Sequence, residues 1–523
     1  MRASAALGEV GLPAPIPELA RRPWDAVVVG GGHNGLAAAA YLARSGRSVL
    51  VLERRQRLGG ACTLERPFPD PRYLVSPCAY LVGLLHPLVI SELELARHGY
   101  KARVADPSSW CPFEDGESFT EWTDRRRTVA EVQRLSPSDV DGYLAYQQVY
   151  DRIRAALRAP GRDTWVGPSP DRAHIEALLG GDPEALEVLF EISVADLVER
   201  HVKDERLRTA LHGGGIIGTY AGPRDPGTAA VRLMHNMGLI GGWSYVEGGT
   251  GRVSFALADA ASEAGAVLAT GVTVAAILPG QGVRLEGGEL IRCDAVVSNA
   301  DPKRTLALCE GDVPDSFRAR VEAWSMDSAV VKVNCALARL PRFDAGRGAP
   351  HLYRAMVTIS TGIDATQAAF DACRRGEPAP EWCELYFQTP YDPSIAPPGK
   401  HTMSVFAQYA PYRLATGGWD SRREEIGRQV LRNVARFAPD VEDCVEHLEV
   451  LGPPDVERRI GLTGGNIFQG SCLPDQMWDR RFAPRTPMPS VYLCGAATHP
   501  GGSVIGINGR NAAMAVVADR SPS

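Results

Sequence analysis

No Cys-x-x-Cys pair occurs among the 11 cysteines of this 523-residue chain, and no group of cysteines and histidines has metal-ligand spacing. The pattern therefore offers neither a redox-active dithiol nor a structural zinc site. Cys293, Cys335 and Cys494 lie in apolar strands, as reduced thiols of a cytoplasmic protein do. No run of like charge is present either, and a net charge of −6 argues against a nucleic-acid-binding face. The first twenty or so residues lack a secretory apolar block, so 1–19 reads as a surface extension. No stretch reaches the ~18 apolar residues that cross a bilayer. The nearest, Ala79 to Ile90, is broken by Pro87. It reads as a core segment or the lip of an apolar tunnel, with peripheral membrane contact as the alternative. What remains, 45% apolar and 23% charged residues, is an ordinary globular composition. The chain is too long for one simple core, so two or more domains are expected.

The most informative stretch runs from Asp25 to Leu36: an apolar strand, then Gly30-Gly-Gly-His-Asn-Gly35, then an alanine-rich helix. In such a turn Gly30 permits the sharp bend, Gly32 lets backbone approach a pyrophosphate, and Gly35 lets helix and strand pack closely. The helix start offers unpaired N–H groups and partial positive charge to phosphates. A lone G-x-G-x-x-G is common by chance in a chain with 54 glycines. Here a second apolar strand, Ser48 to Leu52, ends in Glu53, where an acid can accept hydrogen bonds from a ribose diol. Gly59 and Gly60 follow, a pair that lets chain pass beneath a ligand.

Residues 136–158 read as a helix, with Ser136 as N-cap and Asp139 at its positive end. More helix is expected over 173–212. Nucleotide-domain character returns at Gly248-Gly-Thr-Gly251, which opens a helix through Ala264, followed by short strands and a hairpin leading to Asp294–Asp301. Between roughly 310 and 450 long strands dominate, among them 329–337 and 401–409, read as alternating. The second strong signal is Ser490 to Gly502, again an apolar strand entering glycines, with a small-residue helix expected from Ser503 to Val517. Its loop can bring backbone N–H groups to the far end of an extended ligand whose diphosphate lies on the first loop.

Together these blocks resemble the phytoene desaturase-like FAD-dependent oxidoreductases, and within them most of all the branch called pyridine nucleotide-disulfide oxidoreductase domain-containing protein 2. The likeness is carried by Gly30 to Gly35, Glu53 with Gly59-Gly60, Pro226-Gly-Thr228, Gly248 to Gly251 and Ser298-Asn-Ala-Asp-Pro302. Pro397 to His401, Gly464-Gly-Asn-Ile-Phe468, and His499 to Gly502 with Gly506, Gly509, Arg510 and Asn511 complete it. The resemblance implies an α/β fold: a Rossmann-type FAD-binding domain of amine-oxidase type, with an inserted α+β substrate domain carrying a mixed sheet. It also implies non-covalent FAD in extended form. Gly30, Gly32, His33, Asn34 and Gly35 would hold the diphosphate, and Glu53 with Arg54 the ribose. Gly59, Gly60 and Ala61 would pass beneath the cofactor, Val274 would reach the adenine, and Asn299 would line the site. His499, Gly501, Gly502, Ser503 and Val504 would face the isoalloxazine, with Gly495 and Ala496 also in the cofactor site. The pattern departs at Ala496, where many related flavoproteins carry an acid.

For the substrate, His235, Tyr220, Asn466 and Phe468 are the candidate catalytic or orienting residues, with Asn236 and His499 as further lining. His235 reads equally as a base or as a buried ring bonded to backbone. His499 reads as a shaper of the cofactor loop, Lys332 as a solvent-facing strand lysine, Arg510 as a cofactor contact or an ion pair, and Trp243 and Tyr245 as core. No metal is expected. The reading is an FAD enzyme that dehydrogenates (desaturates) an apolar or amphipathic small molecule by hydride transfer to flavin N5, with dioxygen, a quinone or another acceptor. The FAD-binding domain is assigned to 20–85, 226–310 and 455–523, and the substrate domain to 86–225 and 311–454. A flavin-dependent isomerase or saturase, an amine oxidase-type enzyme, and an FAD-stabilised binding protein are the alternatives.

Overall fold

The computed structural model describes residues 2–346 and 349–520. Positions 521–523, within the C-terminal segment assigned to the FAD-binding domain, and 347–348 of the inserted region lie outside the described residues, as does Met1. Two large sheets organise the chain. The first runs Val274–Leu278, Gly282–Leu285, Leu290–Ser298, Trp24–Val29, Val49–Glu53, Val267–Thr270, with Val491–Leu493 added beside Leu290–Ser298. Its centre is parallel: Val28 lies level with Val297 on one side and Val51 on the other. Strands this rich in valine and leucine need cover on both faces, and helices supply it. The glycine loop thus leaves the carboxyl end of a central strand, where open α/β sheets bind ligands.

On one face helix His33–Arg44 packs between Arg252–Glu263 and Ile507–Asp519. A methyl group at Gly509 would overlap the Asn34 carbonyl, so that glycine sets the close approach of last helix to first. The last helix begins at Ile507, not at Ser503. Ser503 has φ +86 and Gly506 φ +75, left-handed backbone that an α-helix cannot contain.

The second sheet runs Val445–Leu451, Val330–Leu337, His401–Gln408, Trp382–Tyr386, Met356–Ile359, Ser109–Pro112, Ser118–Glu121. It is mixed: Met356–Ile359 pairs parallel to Ser109–Pro112, and the other pairs are antiparallel. The expected alternation fails here, because all eight residues of Val330–Leu337 are buried. One face packs on Trp419–Ala435 and the other closes the cavity described below.

Other expectations are corrected locally. The helix near 140 is Val140–Leu157, entered by a 3-10 turn. Asp139 accepts the N–H groups of Lys203 and Asp204 at 3.0 and 2.8 Å, so it ties a neighbouring loop and does not cap its own helix. The 173–212 region is four short helices. The amino-terminal extension is docked: Ala3 is 2% exposed and donates its N–H to Asp259 at 2.6 Å, while Leu58 N–H donates to the Gly8 carbonyl at 3.0 Å. The segment around Ala79–Ile90 is interior, with Leu84, Leu85 and Val89 fully buried, so these side chains are not available to a membrane surface. No described helix is long and apolar enough to cross a membrane.

Candidate functional site

Strand Trp24–Val29 delivers Gly30 at φ +100, and its N–H donates to the Leu52 carbonyl at 2.9 Å. Only glycine takes that conformation without strain. Helix His33–Arg44 then starts with no side-chain cap, leaving its first-turn N–H groups for a ligand. A Cβ on Gly35 would overlap the Gly30 carbonyl. Glu53 ends the next strand, its carboxylate taking the Gly31 and Arg55 N–H groups at 2.8 Å each. Burial raises the Glu53 pKa against those two bonds. Each oxygen keeps an acceptor position for a hydroxyl.

The carboxy-terminal loop meets this one. Cys494 N–H donates to the Ser298 carbonyl at 2.8 Å, extending the strand register into the loop. Asn508 donates to the carbonyls of Thr498 and Gly501 at 3.0 and 3.2 Å, bracing it. Gly506 N–H donates to Asn34 Oδ1 at 3.1 Å, and the His33 ring hydrogen-bonds the Ser503 backbone. Two crooks far apart in sequence therefore form one wall.

That wall bounds a cavity of about 510 Å³ that continues to the second sheet. Of the cofactor set, Gly30, Gly32, His33, Asn34, Glu53, Arg54, Gly60, Ala61, Val274, Asn299, Ala496, Ser503 and Val504 line it. Gly35, Gly59, Gly495, Gly501 and Gly502 do not. They lie behind the wall, Gly59 donating its N–H to Gly31 O at 2.8 Å and Gly502 pressed on Phe468. His499 is turned away, donating from Nε2 to the Thr164 carbonyl at 2.6 Å.

Among the substrate candidates, His235 and Phe468 line the cavity, their rings 5.5 Å apart. His235 donates from Nδ1 to the Val231 carbonyl at 2.8 Å, and burial pulls its pKa down to about 4. The ring is neutral at physiological pH, with Nε2 a bare acceptor that lacks a hydrogen-bond partner among the described residues. Tyr220 does not line the cavity and packs edge-on against Phe370 at 5.4 Å. Asn466 does not reach it either. It braces a turn, donating to the Asp327 carbonyl at 2.8 Å and accepting from Phe468 and Gly470 N–H at 3.0 Å each, and so sets the Phe468 ring. Asn236 donates back to the Arg232 carbonyl at 3.0 Å. Arg510 pairs with Glu92 at 2.7 Å, and Asn511 holds the Trp165 and Gly167 backbone.

Sequence reasoning missed two groups. Lys332, read as solvent-facing, is 3% exposed and lines the cavity, donating to Asn334 at 3.1 Å and to Ser404. Burial lowers its pKa to about 7. Glu384, 7% exposed, lines the same chamber and accepts from the Tyr386 hydroxyl. The available signal was one ionisable residue inside each apolar run, Val-Val-Lys-Val and Trp-Cys-Glu-Leu-Tyr.

The nucleotide end fits an anionic dinucleotide. Arg54 and Arg304 both line it and repel one another, which an anion would relieve, and His33 Nε2 has no hydrogen-bond partner among the described residues. The family of flavin containing amine oxidoreductases matches residues 35–517. The chain belongs to that family. It is 35% identical over 546 residues to "Pyridine nucleotide-disulfide oxidoreductase domain-containing protein 2" of Mus musculus, covering 95% of this chain and 94% of that one. It is 26% identical over 531 residues to a limonene dehydrogenase component of Castellaniella defragrans, covering 95% and 94%. Among solved structures, cyclohexylamine oxidase from Brevibacterium oxydans shares the fold with a TM-score of 0.58 at 18% identity, covering 95% and 99%. The protein is an FAD-dependent oxidoreductase of amine-oxidase-like fold.

Proposed function

We propose that this FAD-dependent oxidoreductase dehydrogenates an apolar or amphipathic organic substrate, introducing a double bond. The observation that carries the reading is the continuity of one cavity from the Gly30–Glu53 crook to a chamber walled by Tyr80, Leu81, Ile217, Trp243, Phe406 and Phe468. The relatives named as limonene dehydrogenase and phytoene desaturase support it. Gly30, Gly32, Asn34 and Glu53 would hold FAD at one end, with Ser503 and Val504 beside it. Bound there, FAD supplies the two-electron oxidant, accepting hydride at N5. The chain's own work is positional. Phe468 and Trp243 exclude water, His235 Nε2 offers a neutral acceptor, and the aromatic walls hold a C–H bond at reacting distance. Dioxygen, a quinone or another acceptor would then reoxidise the enzyme.

The test is anaerobic titration of the FAD-loaded protein with terpenes, polyenes and long-chain ketones. Bleaching of the flavin absorbance with recovery of an unsaturated product is expected. A flavin left oxidised by every member of the panel would overturn the reading.

A further inference from the structure

Lys332 and Glu384 stand on one face of the second sheet. Phe406 is the register partner of both, so their backbones are two strand spacings apart, roughly 10 Å. Both side chains line the chamber, and neither forms an ion pair among the described residues. The side-chain hydrogen bond that Glu384 makes within the protein comes from Tyr386, whose ring stacks on Tyr80 at 4.1 Å. The Lys332 Nζ lies 4.9 Å from the Tyr80 ring centre, closing a circuit around the chamber wall. A buried carboxyl without a cation costs stability, and a buried amine without an anion does too. Neither is needed to pack two strands. An apolar chamber that keeps both is built to meet a polar group on its substrate.

The chemistry narrows that group. An alkane C–H is far too weak an acid to give a proton to a carboxylate. A C–H beside a carbonyl comes within reach, because its conjugate base is an enolate with charge on oxygen. An ammonium has three N–H groups, of which Asn334 and Ser404 take two, leaving donor capacity for that oxygen.

We propose that Glu384 is the base that takes the substrate proton, that Lys332 holds the carbonyl oxygen beside that carbon, and that the chamber therefore takes a carbonyl-activated organic substrate. The inference rests on the dehydrogenation proposed above. The α C–H bond breaks and its proton goes to Glu384, while its electron pair forms the new carbon–carbon double bond. Hydride leaves the β carbon for FAD, which is reduced by two electrons, and the product is an α,β-unsaturated carbonyl compound. Glu384 must begin ionised. Burial lifts its pKa to about 7, where a base is effective near neutrality. The titratable groups facing it are Tyr386, Tyr80 and Tyr245, all pushed upward by burial, with Cys383 adjacent in the chain and Lys332 across Phe406. Tyr386 is a positioning residue, since its donated bond favours the ionised carboxylate.

The experiment uses the FAD-loaded enzyme with 2-decanone and cyclohexanone as probes, and decane and cyclohexane as matched hydrocarbons. Anaerobic bleaching and incorporation of deuterium at the α carbon in heavy water are both read. The ketones should exchange and bleach, and the hydrocarbons should do neither. Glu384→Gln should slow both by about 100-fold or more with FAD content unchanged. Lys332→Met should weaken ketone binding, and Tyr386→Phe should move the rising limb of the pH profile to higher pH. A Glu384→Gln enzyme within about 3-fold of wild type, or hydrocarbons bleaching as fast as ketones, overturns this assignment and leaves the dehydrogenation standing. Exchange without bleaching supports the base and sinks the dehydrogenation. Neither signal from any probe overturns both.

Discussion

Gly506 donates its backbone N–H to Oδ1 of Asn34 at 3.1 Å, although 472 positions separate them. The bond joins the start of the last helix to the start of the first, behind the wall that the two loops present to the cavity. Asn34 is 2% exposed, so water cannot replace it.

Asn34→Ala is accordingly expected to leave a buried donor unpaired, at a cost of about 1–3 kcal/mol. Thermal melting with and without FAD checks this. Asn34→Asp keeps the acceptor but buries an unpaired carboxylate, so it should not recover the lost stability. It should also weaken FAD binding, because a negative charge then faces the diphosphate.

Gly35→Ala sets two effects against one another. Alanine in a helix gains about 1 kcal/mol over glycine. The added methyl, however, would overlap the Gly30 carbonyl and lie 3.1 Å from Asn299 Cβ. The steric term wins, and FAD affinity should fall at least about tenfold, roughly 1.4 kcal/mol. Equilibrium dialysis against FAD reads the change.

Lys332 makes stability depend on pH with a definite sign. Its pKa is 10.5 in the reference state and about 7 when folded, so between these values the unfolded chain binds the extra proton. Stability therefore rises as pH increases above 7, by up to roughly 1.4 kcal/mol per unit. Buried thiols such as Cys335, raised from 9.0, act in the opposite sense from about pH 8 upward. In denaturant titrations between pH 7 and 9 the wild type should gain stability relative to Lys332→Met, on a thiol-driven decline that both proteins share.

His235 is neutral down to about pH 4, so it does not act as an ionising base near neutrality. His235→Phe should change turnover by a similar factor at every pH from 5 to 9, without shifting any limb of the profile. A limb that vanished in this variant would assign the ionisation to His235.

Much of the wall formed by the two glycine loops was legible because each loop has a local requirement. Gly30 needs positive φ, Gly35 needs closeness to a strand, and Glu53 must end the adjacent strand. The chamber was not legible in the same way. Lys332 and Glu384 meet only because Phe406 pairs with both, a register set by tertiary packing. Period-two reasoning placed Lys332 in solvent because it assumed one wet face, whereas this sheet is covered on both. Tyr220 and Asn466 come from motifs that lead back toward the first sheet, yet Tyr220 packs in the core and Asn466 braces backbone, while His499 ties its own loop to Thr164. The run of small residues reads as helix from Ser503, but φ +86 makes Ser503 a loop residue.

The central claim is that the two crooks close on a single FAD. Its most direct test is the visible absorbance spectrum of the purified protein, titrated with FAD, beside the same titration of a Gly35→Val variant. One flavin per chain in the native protein and almost none in the variant is the predicted result. A colourless native protein that takes up no added FAD, or a variant that binds as well, would contradict the account.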